Sequence, residues 1–428
     1  MSSQVFFVGT NREVAHHAAP FNNALNYQII EPDAVVNHAT AGDLAIFFSE
    51  HFDRFRNAIH QLREKRVATL YMIDGILEWR NAWENRGDEP ACPFTMRPVL
   101  SDKVACIGPS QYRVLQNWGN NGKVELVGIP RLEPLKNLKK RQRDASPFRV
   151  MIATAKCPSY TENDRANLHR CLIDLKNHTD AQGIEVIWRL TAGLEELLGV
   201  KNNLANVSGQ DLADQLANVD ALITTPSTTI LESMLLDLPT AVVDYNNCPG
   251  YLRTAWSITS ESQIETQIKE LSSPPESKMM FQRQSLVDSL YLESNATNRM
   301  LDLIDHMQSH AERTNSLNFP ANLLANSGPS VPSIGFNSAA AFPEYDEFKS
   351  SDLTMTQTEL AHSRREIEHL QSEIRQLKSE LGEAHQIFDE INSHPIAGPI
   401  VKVRQKLLET IQKFKESKPR PETNSSNC

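Results

Sequence analysis

Short apolar runs recur at residues 5–8, 27–30, 44–48, 67–73, 104–107 and 124–127. Each is too short for a helix and too continuous for a strand with one wet face, so they read as strands buried on both sides. Stretches with a helical period lie between several of them, for example 12–25 and 54–65. Such alternation gives right-handed crossovers and a parallel sheet with helices on both faces. The pattern breaks at Leu135-Lys-Asn-Leu-Lys-Lys-Arg-Gln-Arg143, a basic stretch best read as a solvated linker. It then restarts, with strands at 149–153, 186–190, 221–224 and 240–244 and helices at 162–177, 210–216, 263–271 and 277–310. The fold class is therefore α/β: two Rossmann-like domains, 1–134 and 148–310, joined by a linker at 135–147. Ligands of such sheets bind at the carboxyl ends of the strands, so a cleft between the two domains is the expected site.

Beyond residue 310 the composition changes. Ser, Asn, Ala, Pro and Gly dominate 312–351 and no apolar period survives, which predicts a flexible tether over 311–352. From Leu360 a heptad begins. Its a positions are Leu360, Ile367, Ile374, Leu381 and Phe388, and its d positions are Ser363, Leu370, Leu377, Ala384 and Ile391. Ile at a with Leu at d, and Glu359, Glu366, Glu373 and Glu380 at g, predict a parallel two-stranded coiled coil over 353–392 and hence a homodimer. The tail, 393–428, contains a basic amphipathic run at 400–415. It is read first as a helix that packs on the coil or stays exposed, and second as a peripheral membrane contact.

Composition narrows the class. A net charge of -10 argues against a nucleic-acid protein, which needs a basic face. Six scattered cysteines with no C-x-x-C pair suit a reduced cytoplasmic compartment and no structural zinc. The amino terminus lacks a signal-peptide pattern, and no apolar run reaches membrane-spanning length, so a soluble protein is expected.

The most informative stretch is 220–245, where a buried strand, a hydroxyl-rich turn, a short helix and a second buried strand follow one another. Ser227, Thr228 and Thr229 sit where the helix opens, and unpaired N–H groups there attract phosphate. Glu232, three and four residues beyond Thr229 and Thr228, shares their face one turn deeper, within reach of ribose hydroxyls. Thr229-Ile-Leu-Glu232 also fits a capping box, in which Glu232 would only tie back to the backbone. In the first domain Asp74 and Glu78 follow a buried strand, and Gly75 suits a sharp turn. Either carboxylate is a candidate base for an acceptor hydroxyl; the alternative is that both cap a helix starting near Ile76. His16 and His17 lie on the first helix, where a base or mere surface decoration is expected. His17 is a catalytic candidate, and Arg80 and Thr10 are placed on the acceptor side.

The run 220–245 resembles the donor-binding segment of GT-B glycosyltransferases, nearest the CDP-glycerol glycerophosphotransferases and the non-hydrolysing UDP-GlcNAc 2-epimerases. Val127-Gly-Ile-Pro-Arg-Leu-Glu133 resembles the V-G-x-P-R-x-[DE] turn closing their first domain. Ile187-Trp-Arg-Leu190 resembles a strand ending in Arg beside the donor. Leu70-Tyr-Met-Ile-Asp-Gly-Ile-Leu-Glu-Trp-Arg-Asn81 falls where the group places a cleft-facing acidic or His-containing loop, but carries Asp74-Gly75 in place of the His. The resemblance covers roughly the first 310 residues. It implies that Ser227, Thr228 and Thr229 bind the donor phosphates and Glu232 the ribose, with Arg189 and Lys156 offsetting charge and Ser208 near the base. For Arg189 a surface salt bridge, and for Lys156 a solvated loop position, are the plainer readings.

No D-x-D triplet occurs, so no acidic metal clamp is expected, and neither a metal nor another cofactor. G-x-S-x-G, P-loop and H-E-x-x-H motifs are also missing. The activity that the resemblance implies is transfer of a sugar from a nucleotide-sugar to a saccharide or other hydroxyl acceptor in surface-glycan synthesis, with no metal expected. A nucleotide-sugar epimerase and an inactive scaffold are the alternatives.

Overall fold

The computed structural model describes residues 3–78, 96–138, 147–159, 161–201, 212–248 and 250–325, together with helical residues 371, 374–379, 382, 402, 404–406 and 408. The chain divides into a unit spanning Met1–Pro332 and a second spanning Ser333–Cys428. The first unit holds both sheets.

The first sheet contains β1 (Val5–Val8), β2 (Tyr27–Ile30), β3 (Leu44–Phe47), β4 (Ala68–Met72), β5 (Lys103–Cys106) and β6 (Val124–Leu126), in the order β2-β1-β3-β4-β5-β6. Every pairing is parallel. The second contains β7 (Arg149–Ala153), β8 (Glu185–Arg189), β9 (Ala221–Thr224), β10 (Thr240–Val243) and β11 (Trp256–Ile258), ordered β11-β10-β9-β7-β8 and again parallel. The order reverses between β1 and β3 in one sheet and between β7 and β9 in the other. The loops at these switch points, after Val8, Phe47, Ala153 and Thr224, are where doubly wound sheets seat ligands. Strands β1, β3, β4 and β9 are buried at every residue, as their unbroken apolar runs require.

Helices α1 (Asn11–Ala18), α2 (Pro32–His38), α3 (Asp53–Glu64) and α4 (Pro109–Asn117) connect the first sheet. Helix α1 ends before the position expected because Pro20 follows, and the chain continues as a 3₁₀ turn, Ala19–Phe21. Helices α5 (Glu162–Ala181), α6 (Leu194–Leu198), α7 (Leu212–Ala217), α8 (Thr229–Leu235), α9 (Ile264–Ser272) and α10 (Glu276–Ser289) belong to the second sheet, and α11 (Ala296–Thr314) closes the chain's globular part.

Three boundaries differ from the sequence expectation. The helix expected over 277–310 is two helices, separated by the extended Leu290. Its second half, α11, returns to the first domain: Met300, Leu303, Ile304 and Met307 join the core of Val5, Phe7, Leu44, Ile46 and Leu70. Domain 148–310 therefore yields α11 to domain 1–134. The tether expected from 311 begins later, because Leu317, Phe319, Leu323 and Leu324 pack on that same core. The backbone of this strap is held by a buried ion pair, Lys103–Glu125, 2.5 Å apart with both side chains fully enclosed. Lys103 Nζ donates to the Pro320 carbonyl (2.8 Å), and Glu125 Oε1 accepts from Leu323 N (2.9 Å). Two charges removed from water this completely need such added bonds to offset desolvation. Likewise the linker expected from 135 starts inside a 3₁₀ helix, Pro130–Asn137, where Leu135 is buried.

In the second unit, Ile374 and Leu377, assigned to heptad positions a and d, are helical and exposed. The rest of the predicted coil and of the basic tail lies almost wholly outside the described residues, as does 326–352 of the tether.

Candidate active site

The loop after β4 carries Asp74 and Gly75 against the start of α8. A Cβ on Gly75 would lie 2.1 Å from Thr228 Oγ1, so close approach, rather than a sharp turn, is what requires glycine here. Ile76 N donates to Thr228 Oγ1 at 3.3 Å. Buried Gln111 of α4 fixes the same loop by donating to the Gly75 carbonyl at 3.1 Å. The two domains thus meet at the opening of α8, and the hydroxyl-rich turn faces the first-domain loop.

Arg131 spans this junction. Its Nη1 pairs with Glu232 Oε1 at 2.5 Å, and its Nη2 donates to the Asp74 carbonyl at 3.4 Å. The turn that presents it explains each residue of Val127-Gly-Ile-Pro-Arg-Leu-Glu133. Gly128 has φ +97° and lies against Tyr291 and Ala296, where a side chain would be strained and crowded. Pro130 opens the 3₁₀ helix, where its missing N–H costs nothing. Glu133 Oε1 accepts from Ala296 N at 2.8 Å, securing the start of α11. Arg131 is left to enter the cleft. Among the described residues its buried Nε has no hydrogen-bond partner.

Glu232 is only 6% exposed and engages Arg131, so the capping box of Thr229 and Glu232 does not form. Ser227 Oγ instead accepts from Thr229 N at 3.3 Å. Helix α8 has seven residues, too few for a strong macrodipole. Hydroxyls and nearby cations must supply most of any attraction for phosphate.

Opposite stand Asp74, His17 and His16. His17 Nε2 lies 2.9 Å from Asp74 Oδ2; the His side chain is 6% exposed and that of Asp74 43%. His17 stacks on Phe48 with centroids 4.8 Å apart. The His16 ring is exposed to the cleft and lies 3.6 Å, centroid to centroid, from that of His17. The neighbours do point differently: His17 is buried against Asp74 and His16 is exposed. Burial raises the Asp74 carboxyl, but the hydrogen bond and charge of His17, with Arg131, more than offset this and hold it below the usual carboxylate range. Burial, then the charges of His17, Arg131 and Lys156, hold His16 down at about 4 against a weaker opposing pull from Asp74. Lys156, exposed in the loop after β7, therefore lies within charge range of the first domain's α1.

Other expected residues fall elsewhere. Thr10 caps α1: its Oγ1 accepts from Glu13 N (3.2 Å), and Glu13 Oε2 accepts from Thr10 N (2.8 Å). That reciprocal cap uses the Thr10 hydroxyl as an acceptor and leaves its O–H able to donate. Arg189 ends β8, at the edge of the second sheet, and donates to Gln215 of α7 at 3.2 Å. Ile76 and Leu77 are not helical, and Glu78 forms an antiparallel bridge with Gly250 of the second domain; the residues that follow, 79–95, lie outside the described ones. Arg80 and Ser208 lie outside the described residues. Pro158, Thr225, Pro226, Asp244, Tyr245 and Asn246 help line a small depression at the β7–β9 switch point.

The fold is similar to that of the S. aureus MnaA–UDP co-structure, with a TM-score of 0.50 and 11% identity over 77% of this chain and all (100%) of that one. The fold is GT-B. Other GT-B neighbours are the Methanocaldococcus jannaschii UDP-GlcNAc 2-epimerase in complex with UDP-GlcNAc and UDP (TM-score 0.49, 8% identity, 71% of this chain and 99% of that one) and the wall teichoic acid polymerase TagF (0.45, 13%, 72% and 90%). No protein-family model and no curated protein matches the chain.

Proposed function

We propose that the protein is a metal-independent glycosyltransferase acting on a nucleotide-sugar in surface-glycan synthesis. The observation that carries this reading is the bridge made by Arg131, which joins the carboxyl-end loops of the two GT-B sheets between an acidic wall and a hydroxyl-lined one. In this reading Ser227, Thr228 and Thr229 take the donor diphosphate with Arg131 and Lys156, and Glu232 takes the ribose. Asp74, held ionised, removes the acceptor hydroxyl's proton as the new bond to the anomeric carbon forms. Buried His17 orients the carboxylate rather than touching substrate, and Arg131 and Lys156 stabilise the charge developing on the departing diphosphate.

A thermal-shift screen with UDP, CDP, GDP and their sugars tests the binding half, since a ligand at one hundred times its Kd stabilises by about 2.7 kcal/mol. No stabilisation by any nucleotide would leave an inactive scaffold. Donor incubated alone separates the chemistries: an epimerase returns an isomer, whereas a transferase needs an acceptor. Turnover should survive EDTA, and its complete loss would overturn metal independence. Pairing of two chains through 353–392 and surface contact by 400–415 complete the proposal, resting on the heptad and on the basic amphipathic pattern.

A further inference from the structure

Two ion pairs in this fold are built in opposite ways. Lys103 and Glu125 are fully enclosed and fully satisfied. Lys103 Nζ also donates to the Gly122 and Pro320 carbonyls at 2.9 and 2.8 Å, and the Glu125 carboxylate also accepts from Leu323 N and Leu324 N at 2.9 and 3.3 Å. Such a pair is fixed. Arg131 and Glu232 are less well supplied. One guanidinium nitrogen, Nη1, meets one carboxylate oxygen at 2.5 Å, and Nη2 reaches only the Asp74 carbonyl at 3.4 Å. The buried Nε has no hydrogen-bond partner among the described residues. A guanidinium carries five N–H donors in a fork that suits two acceptor oxygens at once, as a phosphate offers them.

We propose that Glu232 is a gate on Arg131, which makes the site selective for a nucleoside diphosphate over free phosphate or pyrophosphate. The inference rests on the nucleotide-sugar reading and adds an exchange of partners to it. In the free protein the Glu232 carboxylate holds the guanidinium. An anion without a nucleoside must displace it, and so leaves a carboxylate that is 6% exposed without a cation. A nucleoside diphosphate satisfies both halves: its phosphate oxygens take Arg131 while its ribose hydroxyls donate to the released Glu232. Arg131 comes from the 3₁₀ helix after β6 and Glu232 from α8 after β9, so each domain holds one half of the gate.

The test is calorimetric titration of the full chain with inorganic pyrophosphate and with UDP, CDP and GDP, in the wild-type protein and in Glu232→Gln. Without the competing charge, Glu232→Gln should bind pyrophosphate about tenfold more tightly. The preference for a nucleoside diphosphate over pyrophosphate should fall by about the same factor, because the ribose loses its carboxylate. Arg131→Met should weaken both kinds of ligand. Pyrophosphate affinity that is unchanged or lower in Glu232→Gln overturns the gate, while nucleotide binding to the wild-type chain leaves the nucleotide-sugar reading standing. Failure of every probe to bind either protein overturns the gate and the reading together. Thermal melting of Glu232→Gln checks that the fold is intact. Should that variant melt early, the wild-type chain decides. A nucleoside that occupies Glu232 frees Arg131, so saturating uridine, cytidine or guanosine, whichever fits, should tighten pyrophosphate about tenfold. Tightening by none of the three overturns the gate.

Discussion

Arg131→Met and Glu232→Gln, made singly and together, test whether the cross-cleft ion pair couples the two domains. Removing Arg131 leaves a carboxylate that is 6% exposed without its partner. Breaking a fully buried pair costs about 3–5 kcal/mol. Here the Arg131 side chain keeps 23% of its exposure, so water moderates the loss, and about 1–3 kcal/mol is expected for each single change. The double variant should be more stable than the sum of the two losses predicts, with a coupling of about 1–2 kcal/mol. Equilibrium urea unfolding, followed by tryptophan fluorescence and by circular dichroism, supplies the four values; coincidence of the two probes establishes that a single free energy applies. Strict additivity would refute the reasoning, because it would mean that the carboxylate does not sense the guanidinium. Glu232 would then be an ordinary helix residue, and the bridge on which the functional proposal depends would carry no energy.

Gly75→Ala should lower stability by about 1–3 kcal/mol through the clash with Thr228 Oγ1, and Thr228→Ala should relieve it; an unchanged Tm in Gly75→Ala would refute the close approach. Stability should decline as pH falls from about 6.5 towards 4, because the unfolded chain protonates His16 while the folded one resists until about 4. His16→Gln should flatten that part of the profile, and an identical slope in the variant would count against it. Asp74 acts in a lower window: its depressed folded value keeps its contribution present above 3.8, to be lost only as pH falls through that folded value. A truncation ending at Ser351 should sediment as a monomer if the heptad dimerises the chain, and a dimer that survives it would remove the coil as the cause.

Both GT-B sheets were legible because parallel strands buried on two faces are continuous apolar runs. The strand Trp256–Ile258 escaped notice, being three residues long with an exposed Ser in the middle. Helix α11 was visible as a helix, but an amphipathic stripe says that one face is buried, not which sheet buries it. Asp74 and His17 were both legible as candidates, and folding brings them to 2.9 Å. Arg131 was not assigned a role, although its motif was recognised. It lies 57 residues from Asp74 and 101 from Glu232, so no local spacing records that the three meet. The carboxylate of Glu232 could equally have capped its own helix, and only the guanidinium across the cleft distinguishes the two uses. Thr10 has a second use that the sequence reading did not assign: a hydroxyl after a switch-point strand is also suited to cap the helix that follows, as it does here.

A crystal structure with a bound nucleoside diphosphate tests the central claim most directly. The account predicts phosphate oxygens between Ser227–Thr229 and the group formed by His16, Arg131 and Lys156, with Glu232 turned from Arg131 to the ribose. A nucleotide bound elsewhere, with Arg131 and Glu232 still paired, would contradict it.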